Sequence, residues 1–392
     1  MCIRRLGYSY VAGVMASFEK KRKRDDTEEE EEEDSFLDRR YVPHEALCDS
    51  NEGVWAARQD DGRRGAKLSR DAYTVGWICA LHIELAAAKA MLDEVHESLP
   101  NTLSDSNAYT LGRIGKHNVV MACLPTDSYG TNHAAIVGAN MNASFPSLLV
   151  RLMVGVGGGA PGKVDLRLGD VVVGAWTVQY DLGKKVQGGH FQPTGNPCHP
   201  PLALRTVVAD LRADHERMPS KIPTILSEML APNPLMNHYT HPGLHQDRLF
   251  DSTYDHDTCA MSCASCDTSK LTERPARATT DPKIHHGGIA SANQVMKHGE
   301  TRDRLARELN IVCFEMEAAG LMDSFPCLVI RGICDYADSH KNKQWQEYAA
   351  ATAAAYAKEL LSVVSPAEVQ RPLFAATPSA VSSAAMASTT GK

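Results

Sequence analysis

From residue 73 to residue 364, short apolar runs alternate with helix-like stretches, and this alternation constrains the fold more than any other feature. Tyr73–Leu81 (YTVGWICAL) has the β-branched and aromatic character of a strand and leads into ELAAAKAMLDEV, a helix-like run. Residues 109–114 and 118–123 predict a hairpin turning at Gly115-Lys116-His117. A helix is expected over 134–143, and a strand over 148–154 that ends in glycines. Residues 170–173 and 175–180 predict two further strands, HHGGIASANQVM resumes strand character, and PCLVIRGI within 325–333 reads as a buried strand. An alanine-rich helix is expected over 345–364. Strands that alternate with helices predict an α/β fold, a mostly parallel or mixed sheet covered by helices on both faces. Ligands on such sheets collect at the carboxyl ends of the strands.

The flanks lack this pattern. Residues 20–24 read KKRKR, and residues 25–34 carry nine acids around one threonine, a density of like charge that stays solvated. A disordered charged tail is therefore expected over 1–70, the globular domain over 71–364 with a polar Cys/His-containing insertion at about 233–283, and a second disordered tail over 365–392. KKRKR also matches a nuclear import signal, the alternative to a cytoplasmic location. The net charge of −7 comes largely from the acidic run, so no basic face suggests a nucleic-acid partner. No apolar run reaches the length of about eighteen residues that a membrane span needs. Eleven cysteines without regular spacing fit a reducing compartment rather than a disulfide framework. His256, Cys259, Cys263 and Cys266 are ligand types that suit zinc, but their spacing matches no standard knuckle, so free thiols and no metal are expected. His238, His241 and His245 are expected at the surface.

Gly155-Val156-Gly157-Gly158-Gly159-Ala160 formally satisfies a dinucleotide-binding fingerprint. Such a site needs a helix to start at once so that its N-terminus faces the pyrophosphate. Here PGKVDLRLGDVVV follows, with a proline and strand residues, so a nicotinamide site is rejected and no cofactor is expected. Consecutive glycines still require close backbone approach, to a ligand or to another strand.

Three acids each follow a predicted strand: Glu84 in GWICALHIEL, Glu317 in FEMEAAG and Asp335 in VIRGICDYADSH. Each alone reads equally as a helix-start or capping acid. Glu315 and Glu317 bracket a methionine in an otherwise apolar run, where an unpartnered charge is costly, so each must cap a helix or meet a polar ligand.

FEMEAAG followed by R-x-I-x-D-x-A-D (Arg331 to Asp338), together with VQYDLGK, resembles the purine nucleoside phosphorylase/uridine phosphorylase superfamily. Its nearest branch is the methylthioadenosine/adenosylhomocysteine nucleosidases. CFEMEAAGLM and the stretch from VIRGICDYADSH onward are similar to fungal members that form one domain of multidomain receptor-like proteins. The resemblance covers about residues 72–364. It implies a nucleoside-phosphorylase-like three-layer α/β/α fold with a central mixed sheet flanked by helices. It also implies a homo-oligomer that acts on a purine nucleoside with water or phosphate as co-substrate.

Carried over by position, the resemblance makes Asp335 the acid that protonates the purine leaving group. Glu317 becomes the acceptor of the ribose hydroxyls, and Glu84 the group that orients the attacking water. Met316 would floor the sugar, Val295 and Met296 would line the base, Trp345 would form an aromatic wall, and Gly157 would lie against the substrate. Glu315 is left to cap the helix or anchor the fold. Phosphorolytic relatives place arginines where this chain has Ile83 and Met153, and a small hydroxyl residue where it has Val156. Arg151, two residues from Met153 on the same strand face, remains available to phosphate. The acid at Glu84 suits water, so hydrolysis is favoured over phosphorolysis, with a catalytically silent nucleoside-binding module as the rival. Ala292 and Asn293 depart from the family's usual glycine and aspartate, and the segment Gly174–Gln179 is short.

Overall fold

A computed structural model of the chain describes residues 64–65, 67–100, 104–257 and 262–365. KKRKR, the acidic run, Cys259 and the tail from residue 366 lie outside the described residues. Twelve strands are formed among the described residues: β1 (Arg64–Gly65), β2 (Val75–Cys79), β3 (Glu94–His96), β4 (Tyr109–Ile114), β5 (His117–Cys123), β6 (Val150–Gly159), β7 (Val171–Gln179), β8 (Gly183–Lys185), β9 (Phe191–Pro193), β10 (Ile284–Ser291), β11 (Ile311–Glu315) and β12 (Leu328–Asp335). The helices are α1 (His82–Ala90), α2 (Thr131–Ser144), α3 (Leu202–His215), α4 (Ile222–Leu230), α5 (Gly299–Leu309), α6 (Ala318–Leu321) and α7 (Gln346–Val363).

Ten strands join one mixed sheet in the order β1-β3-β4-β5-β2-β6-β11-β10-β7-β12, while β8 and β9 pair separately. An added parallel pairing of β12 with β6 closes β6, β11, β10, β7 and β12 into a ring. The expected central mixed sheet with flanking helices is therefore present, with half of it curled on itself. Its short edge strand, Arg64–Gly65 against Val95–His96, falls within the stretch expected to be tail.

Strand side chains alternate between two cores, which is why these strands read as unbroken apolar runs. Val75, Trp77 and Cys79 of β2 pack with α1, α3, α4 and α7, while Ile78 packs with α2 and α6. Leu152 and Val154 of β6 and Leu328 and Ile330 of β12 face the first set, while Met153, Val329 and Ile333 face the second. α7 buries most of its alanines, whose small side chains let it lie close on β6 and β12.

Three local readings need correction. The strand expected over 148–154 does not end at the glycines: residues 155–159 continue β6, because β12 and β11 supply hydrogen-bonding partners on either side. The strands expected at 170–173 and 175–180 are one strand, β7, since Gly174 pairs with Gly287 of β10 and the ladder resumes at Trp176 after a one-residue bulge. The hairpin turn is Gly115-Lys116 alone, with His117 already paired to Ile114. Among its described residues, the insertion expected at 233–283 forms no strand beyond the single bridge of Phe250 with Leu271, and it is held by polar anchors. Arg274 donates to the Tyr336 hydroxyl at 2.6 Å and pairs with Asp247 at 3.1 Å, and Tyr336 also donates to Asp247.

Candidate active site

Glu84, Glu317 and Asp335, far apart in sequence, line a single cavity of about 570 Å³. Its walls come from the turn after β2, the interior of β6, the loop after β10, the β11–α6 junction and the end of β12. All three acids are nearly enclosed, at 3%, 5% and 4% exposure, and Arg331 between them is 1% exposed.

Each acid is held by its own local structure. Glu84 is the third residue of α1, and its side chain turns back onto the helix start. Ala80 and Leu81 N–H donate to its Oε2 at 2.7 and 2.9 Å, and Val156 N–H donates to Oε1 at 2.7 Å. Of about four lone-pair directions on a carboxylate, three are used, so Oε1 keeps one for a group in the cavity. Burial pushes the Glu84 carboxyl above its usual range, against the opposing effects of the Arg331 guanidinium and these three N–H groups. β6 must be glycine here: a Cβ on Gly155 would overlap the Glu84 carboxylate and lie 2.7 Å from Arg331 Nη1. At Gly158 a Cβ would lie 2.9 Å from Asp335 Oδ1. The glycine run makes close approaches, as its sequence requires, but to the site's own carboxylates.

At the β11–α6 junction the two glutamates divide their tasks. Glu315 accepts the N–H groups of Glu317 at 3.1 Å and Ala318 at 2.9 Å and forms an ion pair with Arg331, so it both caps α6 and anchors the core. Glu317 is bonded more loosely, through Gly130 N–H at 3.4 Å, Met316 N–H at 3.3 Å and Arg331 Nη2 at 3.5 Å. Burial raises its pKa to about 7, with Arg331 opposing and Glu315 and Glu84 adding to the rise. Asp335 accepts Ala337 N–H at 2.9 Å through Oδ1, while Oδ2 receives the Cys334 thiol at 3.0 Å and the Lys341 ammonium.

Met316, Val295, Met296 and Gly157 also line the cavity. Trp345 does not, which corrects its expected place as an aromatic wall. It is buried one residue before α7, edge-on to His241 at 5.0 Å and Tyr348 at 6.0 Å, with its indole N–H on Gln246 O at 3.3 Å. The same contact leaves His241 half-buried, whereas His238 and His245 are exposed. Asn293 leaves the base region altogether, because its Oδ1 accepts the Thr131 N–H at 2.9 Å and caps α2. Arg151 is also elsewhere: its Nε donates to Asn142 at 3.0 Å and its guanidinium lies 5.6 Å from the Phe325 ring centre.

Two members of the site were not assigned from sequence. Arg331 touches Glu315, Glu317 and the Val156 carbonyl, and a lone charge inside PCLVIRGI is the signal that it must be paired. Lys341 pairs with Asp335 from a turn six residues on, where nothing in the local pattern marks it.

No protein-family model matches the chain. A nucleotide-binding leucine-rich repeat (NLR)-like protein of Hyaloscypha variabilis is 45% identical over 318 residues, which cover 79% of this chain and 31% of that protein. The chain thus spans about a third of that relative's length. The 5'-methylthioadenosine/S-adenosylhomocysteine nucleosidase of Mycobacterium tuberculosis is 26% identical over 299 residues, 75% of this chain and 97% of that enzyme. Among solved structures, the Helicobacter pylori enzyme of that name, bound to a pyrrolopyrimidine–pyrrolidine ligand, aligns with TM-score 0.50 and 17% identity over 75% of this chain and 99% of its own. Futalosine hydrolase of the same organism aligns with TM-score 0.50 and 17% identity over 76% of this chain and all of its own. At that identity the two structures show a shared fold.

Proposed function

From the premise that the chain has the nucleoside-phosphorylase-like fold of these nucleosidases, we propose that the domain hydrolyses the N-glycosidic bond of a purine nucleoside. The observation that carries this reading is the meeting of Glu84, Glu317 and Asp335 around one cavity large enough for a nucleoside. Cleavage gives the anomeric carbon oxocarbenium character, so anionic groups near the sugar favour the transition state. Glu317, least tied by the protein, accepts the ribose hydroxyls. Asp335 faces the base and delivers a proton toward the purine ring nitrogen, so the base leaves neutral. Water hydrogen-bonded to the remaining lone pair of Glu84 Oε1 attacks the anomeric carbon, and its proton passes to the Glu84 carboxylate as the C–O bond forms and the C–N bond to the base breaks. Arg331 carries the positive charge that keeps three carboxylates together and makes no further demand on substrate.

Water is favoured over phosphate by the charges around the cavity. A phosphate dianion needs arginines and free backbone donors. Arg151 is engaged with Asn142 and Phe325, Arg331 with two glutamates, and the Val156 N–H with Glu84. The relevant assay incubates the protein with adenosine, inosine, guanosine and methylthioadenosine, with and without phosphate. Free base without phosphate is the expected product. Ribose-1-phosphate would replace hydrolysis by phosphorolysis, and no product at all would remove both.

A second reading, a nucleoside-binding module without turnover, is favoured by the NLR-like relative, of which this chain is about a third, and by the Lys341 contact that occupies Asp335. It requires binding with no product in the same assay.

A further inference from the structure

We propose that His256, Cys263 and Cys266 form a site for a thiophilic divalent cation of the zinc class, outside the nucleoside cavity. One ligand atom from each of the three residues lies within 4.8 Å of the other two. Zn–S bonds of about 2.3 Å and Zn–N bonds of about 2.0–2.1 Å place tetrahedral ligands roughly 3.5–3.8 Å apart. The cluster therefore closes on an ion by a contraction of at most about 1.0–1.3 Å. Two thiols and an imidazole select a soft or borderline ion over magnesium or calcium, which take oxygen ligands. Three protein ligands leave the fourth position of a tetrahedral ion open. This goes beyond the sequence pattern, which matches no standard zinc spacing and predicts free thiols. Cys259 lies outside the described residues, and the proposal does not use it.

The ligands are held in place by independent anchors, as a prepared site requires. Cys263–Ser265 form a single 3₁₀ turn, started by the Ser262 hydroxyl on Ala264 N–H and ended by Cys266 N–H on Cys263 O at 3.3 Å. Arg248 donates to the Cys263 carbonyl at 3.0 Å, and the Cys263 thiol reaches the His340 carbonyl at 3.7 Å. His256 is fixed through its backbone N–H to the Ser339 hydroxyl at 2.9 Å. Its ring lies edge-on to His340, 5.4 Å between centres, and His340 stacks on Phe250 at 4.1 Å. His340 is itself 7% exposed, with no hydrogen-bond partner for either ring nitrogen among the described residues. A polar ring left that way is costly. Its Nδ1 faces Asp338 Oδ1 at 3.8 Å, beyond hydrogen-bond reach, and its ring centre is 5.4 Å from that of His256, so an ion at the cluster would bind next to this ring.

The ion would join His256 and the 262–266 segment to the turn at residues 338–341, which carries the lysine paired with Asp335. Its role is thus structural, bracing the back of the nucleoside site.

The test uses the full chain, purified reduced, equilibrated with Zn²⁺ and desalted, and read by elemental analysis and by Co²⁺ substitution. About one equivalent of zinc per chain is expected, together with thiolate-to-cobalt charge-transfer absorption. Both should vanish in the Cys263→Ser, Cys266→Ser double variant and persist in Cys198→Ser. Since changes to groups that only support a metal ligand cost about 10–100-fold in affinity, His256→Asn should weaken binding at least a hundredfold. Zinc retained by the double variant, no zinc in the wild type, or cobalt bound without thiolate absorption would each overturn the assignment. A Cys263–Cys266 disulfide in reduced protein, seen as two thiols missing on titration, would overturn it as well. If the double variant does not fold, the cobalt spectrum of the wild type decides alone.

Discussion

Arg331 on β12 places Nη2 3.5 Å from Oε2 of Glu317 and bonds Glu315 through the same nitrogen. One enclosed cation thus serves two adjacent acids, with Glu84 as a third in its field. Removing one partner of a buried ion pair leaves uncompensated charge, at a cost of about 3–5 kcal/mol. Arg331→Met should therefore destabilise the domain by about that much in urea unfolding. Arg331→Lys should recover part of the loss, since it keeps the charge but not the fork that reaches two carboxylates. A loss below about 1 kcal/mol for Arg331→Met would mean that the acids are not held by this residue.

Gly155 tests the same cluster from the opposite side. Its missing Cβ is the space filled by the Glu84 carboxylate, with Arg331 Nη1 2.7 Å from where that carbon would stand. Gly155→Ala should displace Glu84 from its three N–H donors. A displacement of about 1 Å in a positioned group costs roughly a hundredfold in rate. The expected result is a turnover loss of that order with nucleoside binding less affected, measured as separate kcat and KM. Unchanged kinetics would show that Glu84 does not act on the water.

The layers of this fold were legible because Val75, Trp77 and Ile78, or Leu328, Val329 and Ile330, face two cores from one strand and leave no polar position between. The three acids were legible because each stands where a strand ends. Closure of β12 onto β6 was not, since strand pairing over that distance leaves no local pattern, and the glycines that permit it look like a loop. The helix α3, not assigned from sequence, does carry a signal in the helical spacing of Leu204, Val207, Val208 and Leu211, of which Leu204 and Leu211 are buried in the core and the two valines pack against it. Trp345 illustrates the opposite failure. The family resemblance made it a pocket wall, and only the packing of His241 and Tyr348 around it shows that it belongs to the core.

The pKa of Glu317, raised to about 7, makes two pH effects with opposite signs. An unfolded glutamate titrates near 4.3. From about there to about 7 the native state binds the extra proton, so stability should fall as pH rises through this window and level off on either side. Glu317→Gln should remove most of that slope in urea unfolding at stepped pH. Nucleoside affinity should move the other way and strengthen as pH rises through about 7, because the ionised carboxylate accepts sugar hydroxyls better. Calorimetric titration over the same pH range would reveal this, and an affinity that is flat across it would remove Glu317 from the sugar.

Asp335 separates an enzyme from a silent module. Its Oδ1 keeps the Ala337 N–H and its Oδ2 the Lys341 ammonium, contacts that an asparagine replaces only in part. General acid catalysis contributes about 10²–10⁴-fold, so Asp335→Asn should lower turnover of purine nucleosides by that factor. Binding should change little, because the sugar contacts lie at Glu317. Lys341→Met, in contrast, removes the partner and leaves the acid, so it should alter the pH profile of turnover rather than abolish it. If Asp335→Asn matches the wild-type rate, the proton comes from another group in the cavity. If the wild type itself binds nucleoside and releases no base, Asp335 serves to hold Lys341 and the turn that follows β12.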